Sequence, residues 1–178
     1  VEKQDFEEQT VVAVDIADTA LMGKGVEAEY AKRVDLSIDH HGSNRQYAAL
    51  NFIDSAAAAA AEIIVELVEL MGVEITKDIA DRLYTGISTD TGCFRYANVT
   101  PKTHLLAAQL MGYGADAAKI NTLMFETKTR TYAALERLAL DGMEFYYDGK
   151  CAIVTITRDM FAKSGSDETE CDGIAALS

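Results

Sequence analysis

Residues 37–44 read SIDHHGSN, so two of the three histidines in 178 residues stand side by side directly after an aspartate. Carboxylate and imidazole together are a ligand set suited to Mn²⁺ and similar divalent ions. A metal-bound imidazole usually donates its other N–H to a carboxylate or carbonyl, which sets its tautomer and its aim. Asp39 and His40 are neighbours in sequence, and neighbours on a strand point to opposite faces. Support of the histidines by Asp39 therefore requires the backbone to leave strand geometry there, and Gly42 just downstream offers a place for that. Two further acids stand in similar settings. Asp15 ends the run TVVAVD, and Asp90 sits in GISTDTGCFRY, bracketed by threonine and glycine. The cluster T-D-T-G predicts a tight turn whose small side chains let a carboxylate face a crevice. His104 stands apart and reads as a surface or boundary residue, and Cys93 beside Asp90 reads as a small buried hydrophobe.

These residues need elements to carry them. TVVAVD (10–15) and RVDLSID (33–39) read as strands ending in Asp15 and Asp39. NFIDSAAAAAAEIIVELVELMG reads as one helix capped by Asp54 or Ser55 and closed by Gly72. Its alanine run reads as close helix packing. Thr76 caps a helix over TKDIADRLYTGIS, and Thr100 caps another with Pro101 at its first position. Asp116 caps AAKINTLMFE, and KTRTYAALERLAL continues helical. MEFYYDGKCAIVTIT predicts a hairpin around Asp148-Gly149. A short helix over RDMFAKSG and the start of another over SDETECDGIAALS follow it. Strands followed by helices predict an α/β fold with a parallel sheet flanked by helices. In such a sheet the ligand crevice lies beyond the carboxyl ends of the strands, where Asp15 and the Asp-His-His run stand. The hairpin near residue 143 predicts the start of a second α/β domain.

The net charge is −13. That excludes a surface built for long duplex nucleic acid or for an anionic membrane, since both need basic patches. It leaves room for a small phosphorylated substrate, because a bound metal reverses the local field. No apolar run reaches the length of a membrane span. The three cysteines show no CxxC spacing, which points to a reducing, cytoplasmic compartment. The chain starts on valine and is expected to be an internal piece of a longer protein.

IDHHGSN resembles the Asp-His-His signature of the DHH phosphoesterase superfamily. VDIADTALMG resembles that family's second motif, with Asp15 as its acid, and YTGISTDTGCFRYANVT its fourth, with Asp90. The resemblance runs on through NFIDSAAAAAAEII, TPKTHLLAAQLMGYGADAAKIN and GKCAIVTIT. Within the superfamily the chain is most similar to the bacterial oligoribonuclease and pAp phosphatase type, the nanoRNases. This implies a two-manganese hydrolase in which Asp15 bridges both ions and His40 and Asp90 bind one of them. It implies that His41 faces the substrate phosphate and that Asp39 supports the histidine pair. The implied substrates are short RNA oligonucleotides and phosphorylated nucleotides such as pAp, and a homodimer is a further expectation. The alternative within the superfamily is a cyclic-dinucleotide phosphodiesterase, against which the TGCFRY continuation speaks. The family's first motif, a strand end with a histidine and two aspartates, has no counterpart in VEKQDFEEQ. Of the family's second domain, DHHA1, only the opening is matched. The resemblance therefore implies an incomplete DHH domain over 1–142 and the start of DHHA1 over 143–178. The piece alone is expected to be non-catalytic.

Overall fold

The β-branched run after Thr10 forms β1 (Val12–Val14), and RVDLSID supplies β2 (Leu36–Asp39). These belong to a computed structural model that describes residues 10–171, 173 and 174. Between them lie a 3₁₀ turn (Thr19–Met22), capped by Asp18, and α1 (Lys24–Tyr30). A third strand, β3 (Leu50–Ile53), pairs with β2 in parallel, as β1 does on the other side. The sheet order is β1-β2-β3, so β2 is central and its carboxyl end carries Asp39. The link from β2 to β3 is residues 40–49 and contains no helix.

β3 was not expected from the sequence, and the helix expected to start at an Asp54 or Ser55 cap starts later. Asn51, Phe52 and Ile53 stand opposite Ser37, Ile38 and Asp39 in the sheet. Asp54 then closes a turn, its Oδ1 accepting from the Ala56 N–H at 3.0 Å. Helix α2 (Ala60–Leu70) begins only after an extended Ala59 that provides no side-chain cap. Ladder hydrogen bonds to the central strand satisfy the backbone of residues 50–53 and outweigh the helical pattern downstream. The alanines do pack closely. Ala58 and Ala59 are fully buried, and a Cβ at Gly86 would sit 2.9 Å from that of Ala61.

Helix α3 (Lys77–Asp90) starts at the expected Thr76 cap but runs two residues past Ser88. Asp90 is thus its last helical residue, and the tight turn follows rather than contains it. Gly92, Cys93 and Phe94 all adopt left-handed φ, of 54°, 58° and 62°. Glycine is required at position 92, since a Cβ there would overlap the Tyr96 ring. Cys93 is half-buried rather than a core residue. Helix α4 (Pro101–Gly112) shows the Thr100 cap with proline at its first position. Helix α5 (Ala117–Asn121) is capped by Asp116 and leads into a π turn (Thr122–Glu126). Val65, Ile75, Leu83, Ile87, Leu106 and Leu110 form the core between α2, α3 and α4, while Ile38, Ala57 and Ile63 tie α2 to the sheet. Glu62 is also buried, and neither of its carboxylate oxygens has a hydrogen-bond partner among the described residues. It lies in the first turn of α2, where the helix dipole favours an anion.

The described residues up to Phe125 form one compact unit and those from Glu126 a second. Helix α6 (Arg130–Asp141) falls in the second, since Leu135 and Ala139 pack with Met160, Phe161 and Ile174. The hairpin is present as β4 (Glu144–Tyr146) and β5 (Cys151–Ile153), antiparallel, with left-handed Tyr147 and Asp148 at its turn. Helix α7 (Arg158–Ser164) follows a Thr157 cap and ends on left-handed Gly165. The expected last helix is a 3₁₀ turn at Glu168–Glu170, and the rest of that stretch lies partly outside the described residues. Residues 1–9 also lie outside them. No helix among the described residues is long and apolar enough to cross a membrane.

Candidate metal and phosphate site

Asp15 follows β1 in a left-handed conformation, φ 61°, that aspartate tolerates better than most residues. Its N–H donates to the Ile38 carbonyl at 2.9 Å, which holds this backbone against the central strand. One turn of the sheet away, β2 ends on Asp39, whose side chain is wholly buried. Its Oδ1 accepts from the backbone N–H of His40 at 2.7 Å and of His41 at 3.2 Å. The same oxygen accepts from Nδ1 of His41 at 2.8 Å, and Oδ2 accepts from the Asn44 amide at 2.6 Å. The carboxylate itself therefore turns the chain out of strand geometry. Gly42, expected to permit that turn, has no positive φ.

His40 is held from a different side. Its Nδ1 lies 3.2 Å from the Ala57 carbonyl. A carbonyl only accepts, so Nδ1 donates there and Nε2 is the ring nitrogen left for another partner. That Nε2 faces Asp15 Oδ1 at 3.4 Å and Asp90 Oδ2 at 3.5 Å. Both distances exceed the 2.7–3.2 Å of ordinary N–H···O hydrogen bonds. Ligands each about 2.1 Å from one ion stand about 3.0–3.4 Å apart at octahedral to tetrahedral angles. Each of these two spacings suits a nitrogen–oxygen ligand pair on one divalent cation. Asp15, Asp39, His40 and His41 offer ligand atoms within 4.8 Å of one another. Asp39 is the poor ligand of these four, because both its oxygens are already committed to hydrogen bonds.

The charges differ in kind across the site. Burial opposes ionisation of Asp39, yet the hydrogen bonds from Asn44, His41 and His40 hold its carboxyl below the usual carboxylate range. The bond to Asp39 raises the His41 imidazole above its usual value, with Asp39, Asp15 and Asp90 adding attraction against the opposing effect of burial. His41 is half-exposed. Its Nδ1 is committed to Asp39. Burial, and then the nearby Asp15, push the Asp90 carboxyl above its usual value.

A folded carboxyl with a raised pKa binds protons that the unfolded chain has released, so stability falls as pH rises through that interval. At neutral pH the ionised Asp90 is a burden on the metal-free fold. Asp90→Asn is expected to stabilise the metal-free chain by roughly 0.5–1 kcal/mol, read as a higher urea midpoint. It should also weaken Mn²⁺ binding more than tenfold, and paired urea and metal titrations read both effects.

Sequence reading singled out Asp15, Asp39, His40, His41 and Asp90; the structure gathers the first four into one cluster at the carboxyl edge of the sheet, and Asp90 approaches it through His40 Nε2. It did not single out Asn44, Asn98 or the Ala57 carbonyl. Asn44 stood within the SIDHHGSN stretch and could have been found as a polar residue five positions past Asp39. A carbonyl of an alanine run carries no such signal. His104 is exposed and stacks on Phe94 at 5.3 Å between ring centres, with no carboxylate partner among the described residues. His104→Ala is expected to leave Mn²⁺ affinity within twofold of wild type by the same titration.

A parallel α/β sheet with carboxylates and imidazoles gathered beyond its carboxyl edge defines the class of this protein. Residues 2–87 match the DHH family, N-terminal domain, and the chain belongs to that superfamily. It is 36% identical over 160 residues to the bifunctional oligoribonuclease and PAP phosphatase NrnA of Thermus thermophilus, covering 89% of this chain and 48% of that protein. It is 28% identical over 178 residues to the protein of the same description in Bacillus subtilis, covering 96% of this chain and 54% of that one. An exopolyphosphatase-related protein of Bacteroides fragilis has the same fold, with TM-score 0.86 at 21% identity over 96% of this chain and 51% of its own. The chain thus spans about half the length of the relatives it matches.

Proposed function

We propose that this chain is part of a manganese-dependent phosphoesterase that hydrolyses short oligoribonucleotides and removes the 3′-phosphate of pAp. The observation that carries the reading is His40. Its Nδ1 is tied to a backbone carbonyl, and its Nε2 faces two carboxylates at 3.4 and 3.5 Å. In this reading Asp15, His40 and Asp90 hold the divalent ion. When bound, such ions supply a nucleophile near neutral pH and neutralise phosphate charge, which a chain of net charge −13 otherwise repels. His41 meets the scissile phosphate through Nε2, its positive charge kept in place by Asp39. Asp39 moves no proton; it fixes the ring and the turn. The names of the Thermus and Bacillus relatives support the substrate class. By the same resemblance residues 1–142 are assigned to the DHH domain and 143–178 to the opening of DHHA1.

The test is an assay of the full product of the gene with Mn²⁺ on pAp, a short oligoribonucleotide and a cyclic dinucleotide. The first two are expected to turn over faster than the third. The reverse order would favour the cyclic-dinucleotide reading, and no turnover of any of them would overturn the proposal.

A further inference from the structure

Asn98 lies on the loop between the left-handed turn and α4, and it is exposed. Its amide Nδ2 donates to the Ala58 carbonyl at 3.0 Å and to the Asp90 carbonyl at 3.2 Å. Both hydrogens of one amide are thus spent on two backbone segments. One is the last residue of α3, which presents the Asp90 carboxylate. The other adjoins Ala57, whose own carbonyl receives the His40 Nδ1 proton at 3.2 Å. We propose that Asn98 is a positioning residue. It staples the end of α3 to the alanine segment and thereby holds the Asp90 carboxylate opposite a His40 ring kept in one tautomer.

The alternatives for holding this spacing are few. Ala59 gives α2 no side-chain cap, and the segment before it is made of alanines, which bring no polar side chain of their own. The turn after Asp90 is made of three consecutive left-handed residues, two of them not glycine. Such residues persist only where surrounding contacts over-determine them. The Asn98 amide ties Asp90, just before that turn, to the Ala58 carbonyl beside the His40 partner Ala57.

The metal arm of this inference rests on the proposed cation site, so its test uses two readouts that fail separately. The first needs no metal. With three histidines in the chain, a long-range ¹H–¹⁵N spectrum of the ring nitrogens resolves His40. Wild type is expected to show His40 as a single Nδ1–H tautomer. Asn98→Ala should show a mixed or exchange-broadened signal, with the unfolding midpoint nearly unchanged because the residue is exposed. The second readout is Mn²⁺ affinity. Outer partners of a metal-binding imidazole are worth 10–100-fold, and Asn98→Ala is expected to weaken binding about tenfold. Asn98→Asp adds a negative charge beside the site but offers no donor to the two carbonyls. It should weaken binding too, and tighter binding would mean that charge and not position matters. An unchanged His40 signal in Asn98→Ala overturns the proposal. A wild-type chain that binds no Mn²⁺ overturns the cation site, and the tautomer result then decides Asn98 by itself.

Discussion

His40→Ala will reduce the Mn²⁺ affinity of this chain by at least about 100-fold and bring phosphodiester hydrolysis by the full gene product to background. Removal of partners that merely orient a metal-binding imidazole already costs 10–100-fold, so loss of the donor itself sets a floor at the top of that range. The ring is not a packing element, since it bridges a backbone carbonyl on one side and two carboxylates on the other. Without it, Asp15 and Asp90 remain as two acids with no nitrogen donor between them. The fold should survive, because the core beneath consists of Ile38, Ala57 and Ile63 and does not include this ring. Titration of Mn²⁺ into folded His40→Ala checks the claim. Affinity within a few-fold of wild type would remove His40 from the site.

Asp39→Ala is the change expected to damage the fold most. The carboxylate is wholly buried and accepts four hydrogen bonds, from two backbone amides, one imidazole and one side-chain amide. Alanine leaves those donors without an acceptor and strips His41 of its counter-charge. Breaking a buried, paired charge costs about 3–5 kcal/mol, a large part of the stability of a small domain. Urea unfolding of the metal-free chain measures it, and a loss below about 1 kcal/mol would contradict the network. The pair also sets a pH profile. Asp39 has a depressed folded pKa, so its contribution is present above the ordinary carboxylate value of 3.8 and is lost as pH falls through the folded value. His41 has a raised folded pKa, so its contribution is complete below the ordinary 6.5 and is lost as pH rises through the folded value. The wild-type contribution of the pair is therefore greatest between those limits. Asp39→Asn should flatten both flanks.

Asp15 and the Asp-His-His run could be placed from the sequence because each stands at or just beyond the end of a short apolar strand signal, whereas the helix end that carries Asp90 read as a turn. Caps made the helices legible in the same way. Thr76, Thr100 and Asp116 each accept a hydrogen bond from the first turn they precede. Residues 50–59 were not legible. The residue types of NFID followed by an alanine run match a helix start, and only the partner strand makes Leu50–Ile53 extended. That is a tertiary effect with no local signal. The same limit hid the anchors of the site. The Ala57 carbonyl and the Asn98 amide act across 17 and 40 residues of sequence, and nothing at either end names its partner.

In the proposed site Asp15, His40 and Asp90 share one divalent cation. Anomalous diffraction at the manganese edge, from crystals of this chain grown with Mn²⁺, tests it most directly. A manganese peak is expected about 2.0–2.2 Å from His40 Nε2 and within the same range of a carboxylate oxygen of Asp15 and of Asp90. A peak bound elsewhere, or none beside His40 at saturating Mn²⁺, would contradict it.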